Sequence, residues 1–114
     1  MVCGSLEIEI LNTFWNLTEA DEDVDISIQD VVDNLSQNGI ERAYTTIKTV
    51  MDRLVSKSIL VRYKVGKKFF YKTTMDKREM ALDMLHEFTN NFFNGNYADM
   101  MHFVEHEMDE LLVK

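Results

Sequence analysis

The sequence predicts a mainly α-helical chain with one small β-hairpin, three helices before it and two after. Three observations carry this. Apolar residues recur with a period near 3.6 in five separate stretches. One further stretch, "SILVRYKVGKKFFYKTT" (58–74), alternates instead with period two about a Gly-Lys pair. Proline is absent and glycine occurs only four times in 114 residues, so little interrupts the helices.

The elements follow in order. Ser5 is placed to cap a first helix over 5–17, with Leu6, Ile10, Leu11, Phe14 and Trp15 on its inner face. The acid-rich "TEADEDVD" after it reads as a solvated loop, since like charges at that density resist packing. Val24 and Ile26 alternate with acids and suit a very short strand. Ser27 or Asp25 can cap a second helix that buries Ile28, Val31, Val32 and Leu35, and Asn38–Gly39 stops it. A third helix over 42–57 buries Ile47, Val50, Met51 and Leu54. In the hairpin, Ile59, Val61, Tyr63 and Val65 alternate with Leu60, Arg62 and Lys64. Beyond the turn at Gly66–Lys67, Phe69 and Tyr71 alternate with Lys68, Phe70 and Lys72. The cations are expected at the tip and on one face. A fourth helix over 76–93 carries Met80, Met84, Leu85, Phe88 and Phe92 on one side. "NGN" at 94–96 breaks it, and a fifth helix follows over 97–112.

No apolar run approaches the roughly 20 residues of a membrane span. The N-terminus lacks a basic segment followed by an apolar one, so no secretory signal is expected. Cys3 is the one cysteine, so no internal disulfide can form, and a reducing, cytoplasmic setting is expected.

The net charge of -8 hides a sharp partition. Residues 1–41 hold ten acids and no Lys or Arg; residues 73–114 hold nine acids and three cations. Residues 42–72 hold nine cations against Asp52 alone. A solvated surface balanced elsewhere in the fold is the plain reading. An anion-binding surface, on a body that repels polyanions in every other orientation, is the sharper one.

Three helices followed by a hairpin is the order of a winged helix-turn-helix, whose third helix enters the DNA major groove while the hairpin wing grips backbone. The third helix, "ERAYTTIKTVMDRL" at its start, has an outer face suited to that. Short Thr45, Thr46 and Thr49 permit close approach. Their hydroxyls reach phosphates or base edges, and their methyls meet thymine methyls. Lys48 and Arg53 neutralise phosphates or reach guanine acceptors. Arg42 and Tyr44 lie near the helix start, and Lys64, Lys67 and Lys68 sit where the hairpin turns. Asp52 shares this outer face, and is expected either toward its solvent end or paired with Arg53 or Lys48. The domain assignment is therefore a winged-helix DNA-binding domain over 1–75 and a helical dimerisation region over 76–114. In the latter, Met84, Phe88, Phe92, Tyr97, Met100, Val104, Met108 and Leu111 form an apolar stripe that a second copy would cover. Folding back onto the N-terminal core is the alternative.

These segments resemble the penicillinase-repressor family over nearly the whole chain. "SLEIEILNTFW" is similar to its opening helix, "AYTTIKTVMDRLVSKSIL" to its recognition helix and following strand, "YKVGKKFFYKTT" to its wing and "FVEHE" (103–107) to a segment of its dimerisation region. The resemblance implies a homodimeric transcriptional repressor on a double-stranded DNA operator. It implies Tyr44, Thr45, Thr46, Lys48, Thr49 and Arg53 as the DNA-facing positions. Ser58 stands where the family usually has Gly. The bond matching the one cut in protease-regulated members, Asn–Phe there, is His102–Phe103 here. Copper-responsive members end in a C-x-C…C-x-C cluster that this chain lacks, so thiolate copper sensing by that route is not expected.

Two other readings stay open. One is a winged-helix protein-interaction module whose basic face meets an acidic partner. The other is a metal-responsive regulator. His102-Phe103-Val104-Glu105-His106 matches H-x-x-E-H, which places two imidazoles on one helix face. A hydrolase would need a third protein ligand and a shaped cavity, for which a short terminal helix gives little room. No Ser/His/Asp set, P-loop or EF-hand spacing is present, and neither an enzymatic activity nor a cofactor is expected.

Overall fold

A computed structural model describes residues 4–113, with the side chain of Val113 excepted. Cys3 lies outside the described residues. The element order is α1 (Ser5–Ala20), α2 (Ile28–Gln37), α3 (Tyr44–Ser56), β1 (Leu60–Val65), β2 (Lys68–Thr73), α4 (Lys77–Phe93) and α5 (Tyr97–Val113). The chain divides into two compact units, one ending at Lys77 and the other running on from Arg78.

In the first unit α1, α2 and α3 pack on one another, and the hairpin joins them through contacts of α3 with β1 and of α1 with β2. Ile10, Leu11, Phe14, Val31, Ile47, Met51 and Leu54, from the three helices, are fully buried. Each fully buried large apolar side chain contributes about 1.5–3 kcal/mol, so this small cluster holds the helices in place. Trp15 fastens α1 to the chain beyond the hairpin, its Nε1–H donating to the Met75 carbonyl at 3.1 Å.

Local chemistry explains most boundaries. Ser27 caps α2 by accepting from the Asp30 N–H at 3.1 Å, while the Asp30 carboxylate accepts from the Ser27 N–H at 2.9 Å. Gly39 ends α2 at φ +83°, with the Ile40 N–H reaching back to the Leu35 carbonyl. Ile26 forms a single antiparallel bridge to Tyr71, so the expected short strand amounts to one residue. Both boundaries of α1 differ from expectation. Gly4, not Ser5, is the N-cap of α1, and its N–H is taken by the Glu7 carboxylate at 3.4 Å. The same helix runs on to Ala20, because Glu19 and Ala20 are good helix formers whose exposure to water screens the acids.

The hairpin is antiparallel with Leu60 opposite Thr73, Arg62 opposite Tyr71 and Lys64 opposite Phe69. Directly paired residues share a face, so Arg62 and Lys64 lie with Phe69 and Tyr71, whereas Lys68 and Lys72 lie with Tyr63 and Phe70. The cations thus occupy both faces, not one. Opposed positions add to an odd number, so even-numbered cations on the two strands point in opposite directions.

In the second unit α4 and α5 are joined through Asn94 and Gly95, both at positive φ. The Asn96 side chain caps α5 by accepting from the Asp99 N–H at 3.0 Å. Phe93 of α4 meets Phe103 of α5 with ring centroids 5.4 Å apart, and His86 stacks with Tyr97 at 5.9 Å. The His86 Nδ1 and the Tyr97 hydroxyl are also in hydrogen-bond contact. No helix among the described residues is long and apolar enough to cross a membrane.

Candidate nucleic-acid interface

α3 exposes the residues singled out on its outer face. Thr45, Thr46, Lys48, Thr49 and Arg53 are all exposed, and Tyr44 at the first turn is 46% exposed. Beneath them Ile47, Val50, Met51 and Leu54 are buried. The helix starts two residues later than expected, so Arg42 precedes it, its guanidinium donating to the Glu41 carbonyl at 2.8 Å.

Thr49 and Lys48 have partners on the helix itself. Thr49 Oγ1 donates to the Thr45 carbonyl one turn back at 2.9 Å. Lys48 Nζ binds Asp52 Oδ2 at 2.7 Å, and that hydrogen bond, with the carboxylate's charge, raises the lysine pKa. Lys48 is therefore the partner of Asp52. In the wing, Lys64, Lys67 and Lys68 are exposed around the two-residue turn, where Gly66 takes φ +63°.

The wing is held at its base. The Tyr63 hydroxyl donates to Asp25 Oδ1 at 2.5 Å, tying β1 to the loop before α2. Burial first, then the Asp25 carboxylate, push the Tyr63 pKa up to about 12. On the opposite face Tyr71 is buried, and its N–H donates to the Ile26 carbonyl at 2.8 Å. Burial and the charge of Asp52 raise the Tyr71 pKa, opposed by Arg62 and Lys48.

A model of penicillinase repressors matches residues 3–112. The chain belongs to the penicillinase repressor family. Membership makes this repressor-family chain a DNA-binding transcriptional regulator with a winged helix. The fold is similar to that of the ferric uptake regulator of Francisella tularensis solved with iron. The TM-score is 0.53 at 18% identity, over 81% of this chain and 80% of that one. No curated protein sequence matches the chain.

The remaining candidates of this repressor-family chain fall in the second unit. Phe92, Tyr97, Met108 and Leu111 are exposed; Met84, Phe88 and Val104 are half-buried. Met100 is only 2% exposed within the single chain, so its side chain has no area left to offer a partner. It leaves the expected interface set, because helical spacing alone does not say which residues of a stripe the protomer covers itself. His102 and His106 are exposed on α5, and among the described residues no group of three or more His, Cys, Asp or Glu is placed to hold a metal ion.

Arg62 was missing from the sequence candidates. Its guanidinium carbon lies 4.5 Å from the centroid of Phe69, with Lys64 Nζ 5.4 Å from the same ring. The signal that finds it is the pairing register, which puts Arg62 on the face shared with Tyr71 and Phe69.

Proposed function

We propose that the protein is a homodimeric repressor that occupies a palindromic operator in double-stranded DNA, with α3 in the major groove and the wing on the flanking backbone. The observation carrying this is the exposed outer face of α3, where three threonines and two cations stand over a buried apolar ridge in the one basic stretch of an acidic chain. Thr45, Thr46 and Thr49 allow the close approach that base reading requires. Lys48, Arg53, Arg42 and Tyr44, with Lys64, Lys67 and Lys68 of the wing, supply backbone contacts. Acidic segments on either side of the basic stretch repel DNA in other orientations.

Residues 1–75 serve as the DNA-binding domain and 76–114 as the dimerisation region in this reading. Met84, Phe88, Phe92, Tyr97, Val104, Met108 and Leu111 of α4 and α5 meet a second copy. The bound dimer occludes a promoter in the cytoplasm and releases it when the dimer is altered; the role is regulatory, not catalytic, and calls on no cofactor.

Selection of bound sequences from a random duplex pool tests the proposal. The expected product is a palindrome with half-sites about 10 bp apart, or a multiple of that. Failure to bind any duplex at low salt, or enrichment of no common sequence, overturns it.

A further inference from the structure

Among the described residues of α5, Met100 is the one buried side chain. From Met101 to Leu112 every residue is exposed except half-buried Val104. Isolated helices shorter than about 12–15 residues are marginal in water, and this segment is of that size. Glu105 and Asp109, like charges one turn apart, weaken it further. The outer half of α5 therefore gains from any clamp across its turns.

His102 and His106 are exposed on this segment. Two residues along a helix is about 200° of rotation. His102 thus faces away from buried Met100, and both histidines face away from Val104. Their spacing of i, i+4 brings the two Cβ atoms to about 5–6 Å on neighbouring turns. Two imidazoles so related converge on one cation at metal–nitrogen distances of about 2.0–2.1 Å. Imidazole suits zinc, nickel and copper(II), whereas magnesium and calcium take oxygen ligands. Among the described residues no set of three or more ligating side chains is placed to surround a metal ion. The site is thus a two-point clamp over one helical turn, with water in the remaining coordination positions.

We propose that His102 and His106 chelate one late first-row divalent cation, and that the clamp stiffens α5 and tightens the dimer. The second half rests on the dimer reading above. Val104, Met108 and Leu111 share the outer half of α5 with the two histidines, and Val104 and Met108 lie across the helix from them. The cation fixes the helix without occupying the apolar stripe. A cation that binds ordered α5 better than frayed α5 favours the dimer by the same factor as the dimer favours the cation. It acts as an effector, and contact with DNA does not pass through it.

The test uses the full chain, unaltered and as His102→Gln and His106→Gln, both at exposed positions. Circular dichroism checks that each variant folds. Zn²⁺ and Ni²⁺ are titrated by calorimetry, with Mg²⁺ as control. The dimer dissociation constant is measured by sedimentation with and without Zn²⁺. One Zn²⁺ per chain is expected, and either variant should bind it at least about tenfold more weakly, because a chelate makes its second contact at high effective concentration. Saturating Zn²⁺ is expected to tighten the unaltered dimer about fivefold or more and to leave both variants unchanged. Variants that each lose only half of the bound ions reveal independent imidazoles and overturn the chelate. Mg²⁺ acting as strongly as Zn²⁺ also overturns it, since neutralising the acids of α5 then accounts for the effect. Zn²⁺ held by both histidines with no change in the dimer constant overturns the coupling. Metal-free protein that stays monomeric at every concentration is instead the failure of the dimer reading, and calorimetry still decides the chelate.

Discussion

Lys48 on α3 reaches one turn along the helix to Asp52, closing an ion pair of 2.7 Å between the centre of the proposed DNA-facing surface and the one acid within the basic stretch. In the absence of DNA the carboxylate holds a cation that phosphate would otherwise claim. Asp52→Asn removes both this competition and a negative charge facing the duplex. An exposed pair at this spacing is weak and screened by water, so the affinity for any duplex is expected to rise only about two- to threefold at low salt. The gain should shrink as salt is added. Titrations of a labelled duplex at two ionic strengths measure it, and unchanged or weaker binding by the variant refutes the competition.

Ser58 occupies a position built for glycine. Its φ of +62° closes the turn after α3, with its N–H bound to the Val55 carbonyl and the Ile59 N–H bound to the Leu54 carbonyl. The same arrangement after α2 uses Gly39. A side chain in the left-handed region costs about 1–2 kcal/mol, and the greater freedom of glycine in the unfolded chain returns ~0.5–1 kcal/mol of that. Ser58→Gly is therefore expected to stabilise the first unit by about 0.5–1 kcal/mol, since the bonds Ser58 makes here, its N–H to the Val55 carbonyl and its carbonyl to the Thr74 hydroxyl, use only its backbone atoms. A rise of a few degrees in Tm is the readout, and a fall excludes strain at Ser58.

The first three helices were legible because each buries one face. Ile47, Val50, Met51 and Leu54 mark the buried side of α3 by spacing alone, and the exposed threonines follow by elimination. The cap at Ser27 was legible because its partner, Asp30, is three residues away. What was hidden depends on distant pairing. The two faces of the wing follow from the offset between β1 and β2, which alternation within either strand does not reveal. Tyr63 and Asp25 are 38 residues apart, and nothing local links them. Met100 shows the same limit in α5: its spacing matches that of exposed Met108, and only the folded chain separates them.

The Tyr63 hydroxyl anchors the wing, and alkaline pH should release it. Its folded pKa, pushed up to about 12, lies above the ordinary value of 10.0. The neutral phenol is thus the form the fold favours. Its contribution is complete below pH 10.0 and is lost as pH rises toward about 12. Tyr63→Phe removes the bond to Asp25 and is expected to cost about 1 kcal/mol at pH 7. The gap between the variant and the unaltered protein should close across that alkaline window, because ionised Tyr63 no longer donates to a carboxylate. Chemical denaturation at pH 7, 9 and 11 follows it; a constant gap rules out Tyr63 as the titrating anchor.

Glu7 is a buried acid whose cation comes from the far end of the domain. Lys57 Nζ lies 3.0 Å from Glu7 Oε2, joining the first turn of α1 to the C-cap of α3. Removing one partner of a fully buried pair costs about 3–5 kcal/mol. The lysine side chain is 34% exposed, so water softens the loss, and about 1–2 kcal/mol is expected for Lys57→Met. Adding Glu7→Gln should recover part of that, since the orphaned charge is what costs. A double variant no more stable than Lys57→Met alone counts against the pair.

The division of labour between α3 and the wing separates two kinds of loss. Lys67 is exposed at the hairpin turn and offers only charge, so Lys67→Ala should weaken all duplexes alike and flatten the salt dependence. Thr46 offers a hydroxyl and a methyl on the helix face, so Thr46→Ala should weaken the selected sequence more than a random one. Lys48→Ala should do both. If each protomer contacts about four phosphates, the slope of log K against log salt for a dimer is near -7. Removing one lysine from each protomer then brings it to about -5, because two fewer counterions are released. Thr46→Ala leaves the slope where it was, since no charge is lost. Titrations of selected and random duplexes across a range of salt distinguish these cases. Equal loss on both duplexes for Thr46→Ala argues that the third helix does not read bases.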